Sequence, residues 1–257
     1  MALMTLLTDF GLQDAYVGVM KGAIACISPT SQIIDLTHAI PPQDVAAARF
    51  VLMTAVPYFP MGTVHVAVVD PGVGSTRRAI ALQFAQGYLV GPDNGIFGGV
   101  LQQYPAIAAV ELTNSNYWHV PNPSHTFHGR DVFAPVAAHL ANGVLLERLG
   151  QPIDPASLVT LEFPNWEQEG DRIIGCIQYV DHFGNAVTNI PESAIALQDW
   201  WVEIAGHLLR GRTTYAEVAV GEPVALIGSH NFVEIAVNGG SAKARLQLQV
   251  GDRVVIS

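Results

Sequence analysis

The run Val64-His65-Val66-Ala67-Val68-Val69 constrains the fold of this chain more than any other segment. Apolar residues occupy both alternating positions, with His65 the one interruption. That pattern describes a strand buried on both faces, as in parallel sheets covered by helices on either side. The run stops at Asp70-Pro71-Gly72-Val73-Gly74, and Arg77 follows closely. A carboxylate at the carboxyl end of a buried strand lies where open α/β sheets bind ligands. An Asp-Pro-Gly turn whose side chain caps its own backbone fits the same residues.

The surrounding sequence extends the α/β pattern. Strands are expected at residues 3–7, 32–36, 64–69, 79–84, 88–90 and 106–112. Between them, residues 14–27 carry apolar side chains at helical spacing, and residues 44–58 form an apolar helix with Asp44 as its cap. A short helix from Asn94 and a longer one over 132–141 complete the half. Alternation of this kind gives a largely parallel central sheet flanked by helices. Residues 150–170 are punctuated by proline and polar residues, and short β-like segments follow at 172–180, 186–190, 200–204, 224–227, 232–237, 244–250 and 253–256. The expected organisation is an N-terminal α/β domain (1–163), a linker (164–170) and a smaller C-terminal all-β domain (171–257).

Composition narrows the classes of partner. Of 257 residues, 50% are hydrophobic and only 13% charged, which excludes a disordered chain. The formal charge of -10 repels nucleic acid and anionic membrane surfaces and favours a cationic ligand. Cys26 and Cys176 lie far apart without metal or redox spacing, so buried free thiols are expected. The apolar amino terminus lacks a basic region and reads as a strand rather than a signal peptide, and no apolar run reaches the ~18 residues of a membrane span. A soluble, cytoplasmic protein is the expectation.

Four further clusters carry chemistry. Thr8-Asp9-Phe10-Gly11 ends the first strand as Asp70 ends another, and Asp9 could accept two hydrogen bonds from a ribose diol or simply open the helix. His125-Thr126-Phe127-His128-Gly129-Arg130-Asp131 suits a metal site, a general-base site or a capped salt bridge. In Asp181-His182-Phe183-Gly184-Asn185 an aromatic face stands beside an amide able to read a base edge and a carboxylate able to hold an ammonium, although a Gly-Asn turn is also ordinary in hairpins. Ser229-His230-Asn231-Phe232 and Asn238-Gly239-Gly240-Ser241 are donor-rich turns of the kind that bind anions.

In order along the chain, Thr8-Asp9-Phe10-Gly11, Val69 to Gly74, Pro92-Asp93-Asn94-Gly95, Thr126 to Asp131, Asp181 to Asn185 and Thr188-Asn189 resemble the S-adenosylmethionine-using adenosyltransferases, the family that includes fluorinating and chlorinating enzymes. The likeness is closest to its water-using branch, because halide-using members carry tyrosine at the position of Asp70 and lack the histidine at His128. The resemblance implies a reaction in which water attacks ribose C5′ of S-adenosylmethionine, giving adenosine and L-methionine. It implies Asp70, Arg77 and His128 as the catalytic set, with Arg77 preferred over Arg78 by its spacing from Asp70, and His128 accepting or relaying the proton. By the same match Asp9 binds the ribose hydroxyls, Asp181 the methionine amine, Ser229 its carboxylate, and Phe183 with Asn185 the adenine; Asn94 is placed among the substrate-binding residues. The resemblance further implies a homotrimer with sites at subunit interfaces, no cofactor and no metal. Two rivals stand beside it: a metal-dependent hydrolase using Asp70, His125, His128 and Asp131, and a non-catalytic sensor of adenosine or S-adenosylmethionine.

Overall fold

The apolar run forms strand β3 (Thr63–Val68), all six residues of which are buried. The computed structural model describes residues 2–195 and 199–257. It divides into two compact units, Met1–Leu161 and Glu162–Ser257.

In the first unit β3 is an interior strand of a seven-stranded sheet with β1 (Leu3–Thr8), β2 (Gln32–Thr37), β4 (Ala79–Phe84), β5 (Gly87–Pro92), β6 (Ala106–Glu111) and β7 (Gln151–Ile153). The strand order is β2-β1-β3-β5-β4-β6-β7. Strands β2, β1, β3 and β5 are parallel. Because β4 runs against both its neighbours, β6 points the same way as β5, and only β4 and β7 are reversed. The carboxyl ends of β1 and β3, carrying Asp9 and Asp70, therefore open on the same edge of the sheet.

Both faces of the sheet are covered, so β1 and β3 are buried on both of their alternating sets of positions. Met4, Leu6, Val64, Val66 and Val68 face a core built with helices α1 (Tyr16–Ile27) and α4 (Ala134–Ala141). The opposite positions include Thr5 and His65, whose side chains are joined by a 2.8 Å hydrogen bond. Helix α2 (Val45–Ala55) begins as expected, with Asp44 accepting the Ala47 N–H at 2.9 Å. Helix α3 (Gly98–Gln103) starts four residues later than Asn94, because Asn94 and Gly95 form a turn in which Asn94 accepts the Ile96 N–H. Cys26 was expected to be buried. It is exposed, since the buried face of α1 is made by Val17, Met20, Ala23 and Ile24.

The second unit is a β-barrel. It contains β8 (Glu167–Glu169), β9 (Arg172–Val180), β10 (Ala186–Pro191), β11 (Trp201–Ile204), β12 (His207–Arg212), β13 (Pro223–Ile227), β14 (Phe232–Val237) and β15 (Arg253–Ile256). Strand β10 pairs with both β14 and β9, which closes the sheet on itself. Strand β8 falls within the stretch expected as a linker and pairs with β9. The β11–β12 hairpin turns through Ala205 and Gly206, both with positive φ (49° and 77°), and an alanine there conceals the turn from sequence reading. Residues 244–250 do not form the expected strand. Ser241 caps a short helix, α5 (Ala242–Leu246), by accepting the Ala244 N–H at 3.2 Å. Burial at Ala242 and Leu246 has helical spacing, while Ala244, which a strand would have buried, is exposed. Among the described residues no helix is long and apolar enough to cross a membrane.

Candidate active site

Asp70 lies two residues beyond β3, where the chain turns sharply: Val73 N–H donates to Asp70 C=O and Ser75 N–H to Gly72 C=O. Gly74 has φ +78°, and a Cβ there would lie 2.5 Å from the His125 carbonyl oxygen. Only glycine lets this turn approach the 125–128 segment so closely. The turn returns Arg77 onto Asp70. Arg77 Nε donates to both carboxylate oxygens, at 3.0 and 3.1 Å, and Nη2 donates to Oδ2 at 2.5 Å. The two side chains are only 5% and 10% exposed, so this charge pair is largely removed from water. Phe133 lies under the guanidinium, its ring centroid 5.4 Å from Cζ.

Arg77 Nη2 also lies 2.7 Å from His128 Nδ1. A guanidinium nitrogen can only donate, so Nδ1 accepts and the neutral imidazole carries its proton on Nε2. Burial and the Arg77 charge hold the His128 pKa below 6.5, against smaller opposing effects of Asp70 and Asp131. His128 opens a π-helical turn, Gly129–Phe133, that leads into α4. Pro135, in the first turn of α4, has no N–H for the Asp131 carbonyl four residues back. The His119 N–H occupies that carbonyl instead, at 2.9 Å. The wholly buried Asp131 carboxylate accepts from Arg130 Nε (2.6 Å), Arg130 Nη2 (2.8 Å) and Ser124 N–H (2.8 Å), tying the preceding loop to the His128 turn.

Asp70 and His128 line a cavity of about 310 Å³ together with Asp9 and Phe127. Asp9 Oδ2 accepts the Gln43 N–H at 2.8 Å. Asn94 is not among the lining residues. It donates to the Val69 carbonyl at 2.8 Å and so braces the strand end that carries Asp70. Arg78 points to a different task, donating to Asp93 Oδ2 and to Ser157 Oγ at 2.8 and 2.9 Å.

The residues expected in the second unit form their own cluster. Asp181 Oδ1 accepts the Asn185 N–H at 2.8 Å and Oδ2 lies 3.3 Å from Asn185 Nδ2, so the carboxylate orients the amide. Gly184, φ +82°, sits where a Cβ would fall 2.0 Å from Ser241 Oγ. Phe183 is 72% exposed and, with Asn185, Tyr215 and Val237, lines a second cavity of about 470 Å³. Ser229 is exposed at the tip of the β13–β14 turn. Sequence reading missed Tyr215 and Glu234. The buried Glu234 accepts the Tyr215 O–H at 2.8 Å and lies 3.1 Å from His230 Nε2. Burial and Glu234 push the Tyr215 hydroxyl up to about 12.

The set proposed for a metal does not assemble. Asp131 is engaged by three donors and His125 is exposed, and among the described residues no three of His, Cys, Asp or Glu are grouped to hold an ion.

Residues 4–150 match the model of the SAM hydroxide adenosyltransferase N-terminal domain, and residues 175–255 that of its C-terminal domain. A protein of Salinispora tropica named (R)-S-adenosyl-L-methionine hydrolase is 42% identical over 251 residues, covering 97% of this chain and 95% of that protein. One of the same name from Thermus thermophilus is 42% identical over 255 residues, covering 95% of each. A fluorinase of an Actinoplanes species is more distant, at 27% identity over 98% of this chain and 96% of its own. Among solved structures, an uncharacterised conserved protein from Thermotoga maritima superposes with a TM-score of 0.91 at 38% identity, covering 98% of this chain and 99% of that one. The chain belongs to the SAM hydroxide adenosyltransferase family.

Proposed function

We propose that this protein is an S-adenosylmethionine hydrolase, in which water displaces methionine from ribose C5′ and adenosine is the second product. The observation that carries this reading is the unbroken contact of Asp70, Arg77 and His128, with Asp70 and His128 on the wall of one cavity, in a chain of this family.

The chemistry follows from what each group can do. As the C5′–O bond forms, the C5′–S bond breaks and its electron pair leaves with a neutral thioether, so the leaving group needs no acid. The attacking water meanwhile becomes a protonated alcohol, acidic enough for an ordinary carboxylate to take its proton. Asp70 is the group for that proton, which then passes to solvent. Arg77 fixes the Asp70 carboxylate in two-point geometry, which sets the direction of its proton-accepting oxygen. His128 holds the other edge of the guanidinium. Because its Nδ1 already accepts from Arg77, His128 would take a proton only by giving up that contact. Its role is therefore to orient Arg77 rather than to act as the first base. Holding water in line with the C5′–S bond supplies ~7 kcal/mol or more of the acceleration.

Asp9 receives the ribose hydroxyls, Asp181 the substrate ammonium and Ser229 its carboxylate, while Phe183 and Asn185 receive the adenine. The family resemblance carries these assignments and, with them, a homotrimer in which neighbouring subunits complete each site. No cofactor enters this mechanism. The test is incubation of the purified protein with S-adenosylmethionine in H₂¹⁸O. Adenosine and methionine should form one to one, with the label in the adenosine 5′-hydroxyl. Binding without products would leave a sensor, and label in homoserine or methanol would place the attack on another carbon of the sulfonium.

A further inference from the structure

His38 is buried on the first unit, its side chain 2% exposed, and no part of the proposed mechanism uses it. It lies one residue beyond β2, next to the end of β1, and touches the Asp9 turn twice. Its Nδ1 is 2.8 Å from Thr8 Oγ1, and its carbonyl accepts the Gly11 N–H at 2.8 Å. Thr8 and Gly11 bracket Asp9 and Phe10. Thr8 Oγ1 also accepts the Phe10 N–H at 3.2 Å, so the hydroxyl proton is available to His38. With Nδ1 accepting that proton, Nε2–H faces Asp35 Oδ1 at 3.1 Å. This contact is close but poorly aligned as a hydrogen bond, and His38 Nε2 has no better-placed acceptor among the described residues. It is best treated as an electrostatic contact. Asp35 is in turn held by Lys21 Nζ at 2.6 Å. Burial raises the Asp35 carboxyl, but the Lys21 hydrogen bond and the close contact with His38 outweigh it and hold the group below the usual carboxylate range.

The donors thus run from Phe10 N–H through the Thr8 hydroxyl and the His38 ring towards Asp35, on which Lys21 converges from the other side. An Asp–His–Thr sequence resembles an activated nucleophile. Thr8 is fully buried, so no substrate reaches it and the array has a different use. The Asp9 turn needs support because Gly11 holds a left-handed conformation (φ +67°) with nothing within 4 Å of its Cβ position. Packing does not fix that end of the turn; hydrogen bonds do.

We propose that His38 is a positioning residue for substrate binding, setting the Thr8–Gly11 turn so that the Asp9 carboxylate faces the cavity in the orientation the ribose hydroxyls require. The proposal rests on the ribose role of Asp9. Steady-state kinetics with S-adenosylmethionine on Asp9→Ala, His38→Ala, His38→Asn and Thr8→Val test the two separately. His38→Ala should raise KM about tenfold with kcat changed less than about threefold, the signature of lost binding shared by ground and transition states. Thr8→Val should reproduce it. His38→Asn, whose amide reaches Thr8 but not Asp35, should recover most of the affinity, which general loss of stability would not do. The double variant of Asp9 and His38 should be no weaker than Asp9→Ala alone. A normal KM in Asp9→Ala removes the ribose reading. A raised KM there, with normal KM in both His38→Ala and Thr8→Val, overturns the positioning role. Should His38→Ala fail to fold, Thr8→Val, which keeps the side-chain shape, decides the matter.

Discussion

In the first unit the candidate site consists of an ion pair and a neutral imidazole that hold one another. Asp70, Arg77 and His128 form one chain of contacts, each partner restricting the next, with a phenylalanine ring beneath. The cluster in the second unit is built from a turn, an exposed aromatic and an amide, and its carboxylates serve mainly as orienting groups: Asp181 for Asn185, Glu234 for Tyr215. On the proposed mechanism, the first arrangement places an oriented carboxylate where bonds change. The second offers flat apolar surface and directed hydrogen bonds, which recognise a shape without altering it. Chemistry and recognition are therefore separable by kinetics, and substitutions in the two units should move different parameters.

The sharpest way to break this division is Asp70→Asn. It keeps the side-chain shape and removes the proton acceptor, so kcat should fall by ~10²–10⁴ while KM changes little. The change leaves the Arg77 charge with a weaker partner in a poorly hydrated place, so a thermal melt must accompany the kinetics. A folded variant with unchanged kcat would remove Asp70 from the chemistry.

Asp181→Asn is the matching test in the second unit. The Asn185 N–H keeps an acceptor, while the charge and the weaker 3.3 Å contact to the Asn185 side-chain amide are lost. A charge-assisted hydrogen bond to the substrate ammonium is worth ~1.5–3 kcal/mol, so KM should rise roughly 10- to 100-fold with kcat nearly constant. A large fall in kcat instead would mean that the second unit also shapes the transition state, and the division would fail.

How legible each cluster was in the sequence follows the same line. Asp70, Asp9 and His128 could be found because each stands at the end of a periodic segment, where a break in pattern is visible. Arg77 follows from a glycine turn too short to carry it elsewhere. Glu234 was hidden because it alternates with Val233 and Ile235 in β14 and so reads as a solvent-facing residue; barrel closure buries it. Tyr215 sits in a single helical turn after β12, a strand masked by the alanine in its hairpin. His38 lies in a loop, and its partners come from β1 and β2, so only the parallel register brings them together. Its chemistry was invisible for want of a local pattern.

Acid sensitivity should also belong to the first unit. The Arg77 contact requires neutral His128, since a protonated Nδ1 would set two donors and two positive charges against each other. Activity should be full above the His128 pKa and fall up to tenfold per pH unit below it. Burial and Arg77 lower that pKa, so the acid limb of the kcat profile should lie below 6.5. Asp181→Asn should leave the limb in place. A limb at or above 6.5 would show that another group controls it.

The smallest effect separates support from contact within the second unit. Tyr215→Phe removes the hydroxyl that Glu234 accepts and leaves the ring to line its cavity. A buried carboxylate that loses one of its donors costs ~1–3 kcal/mol, so the urea midpoint should fall measurably. KM should rise only a few-fold and kcat not at all, because the ring loses its anchor but not its face. With the hydroxyl pushed up to about 12, its ionisation should contribute nothing to the wild-type activity profile below pH 10. If Tyr215→Phe lowered kcat while stability held, the hydroxyl would act on the reaction itself, and recognition in this unit could no longer be treated apart from chemistry in the other.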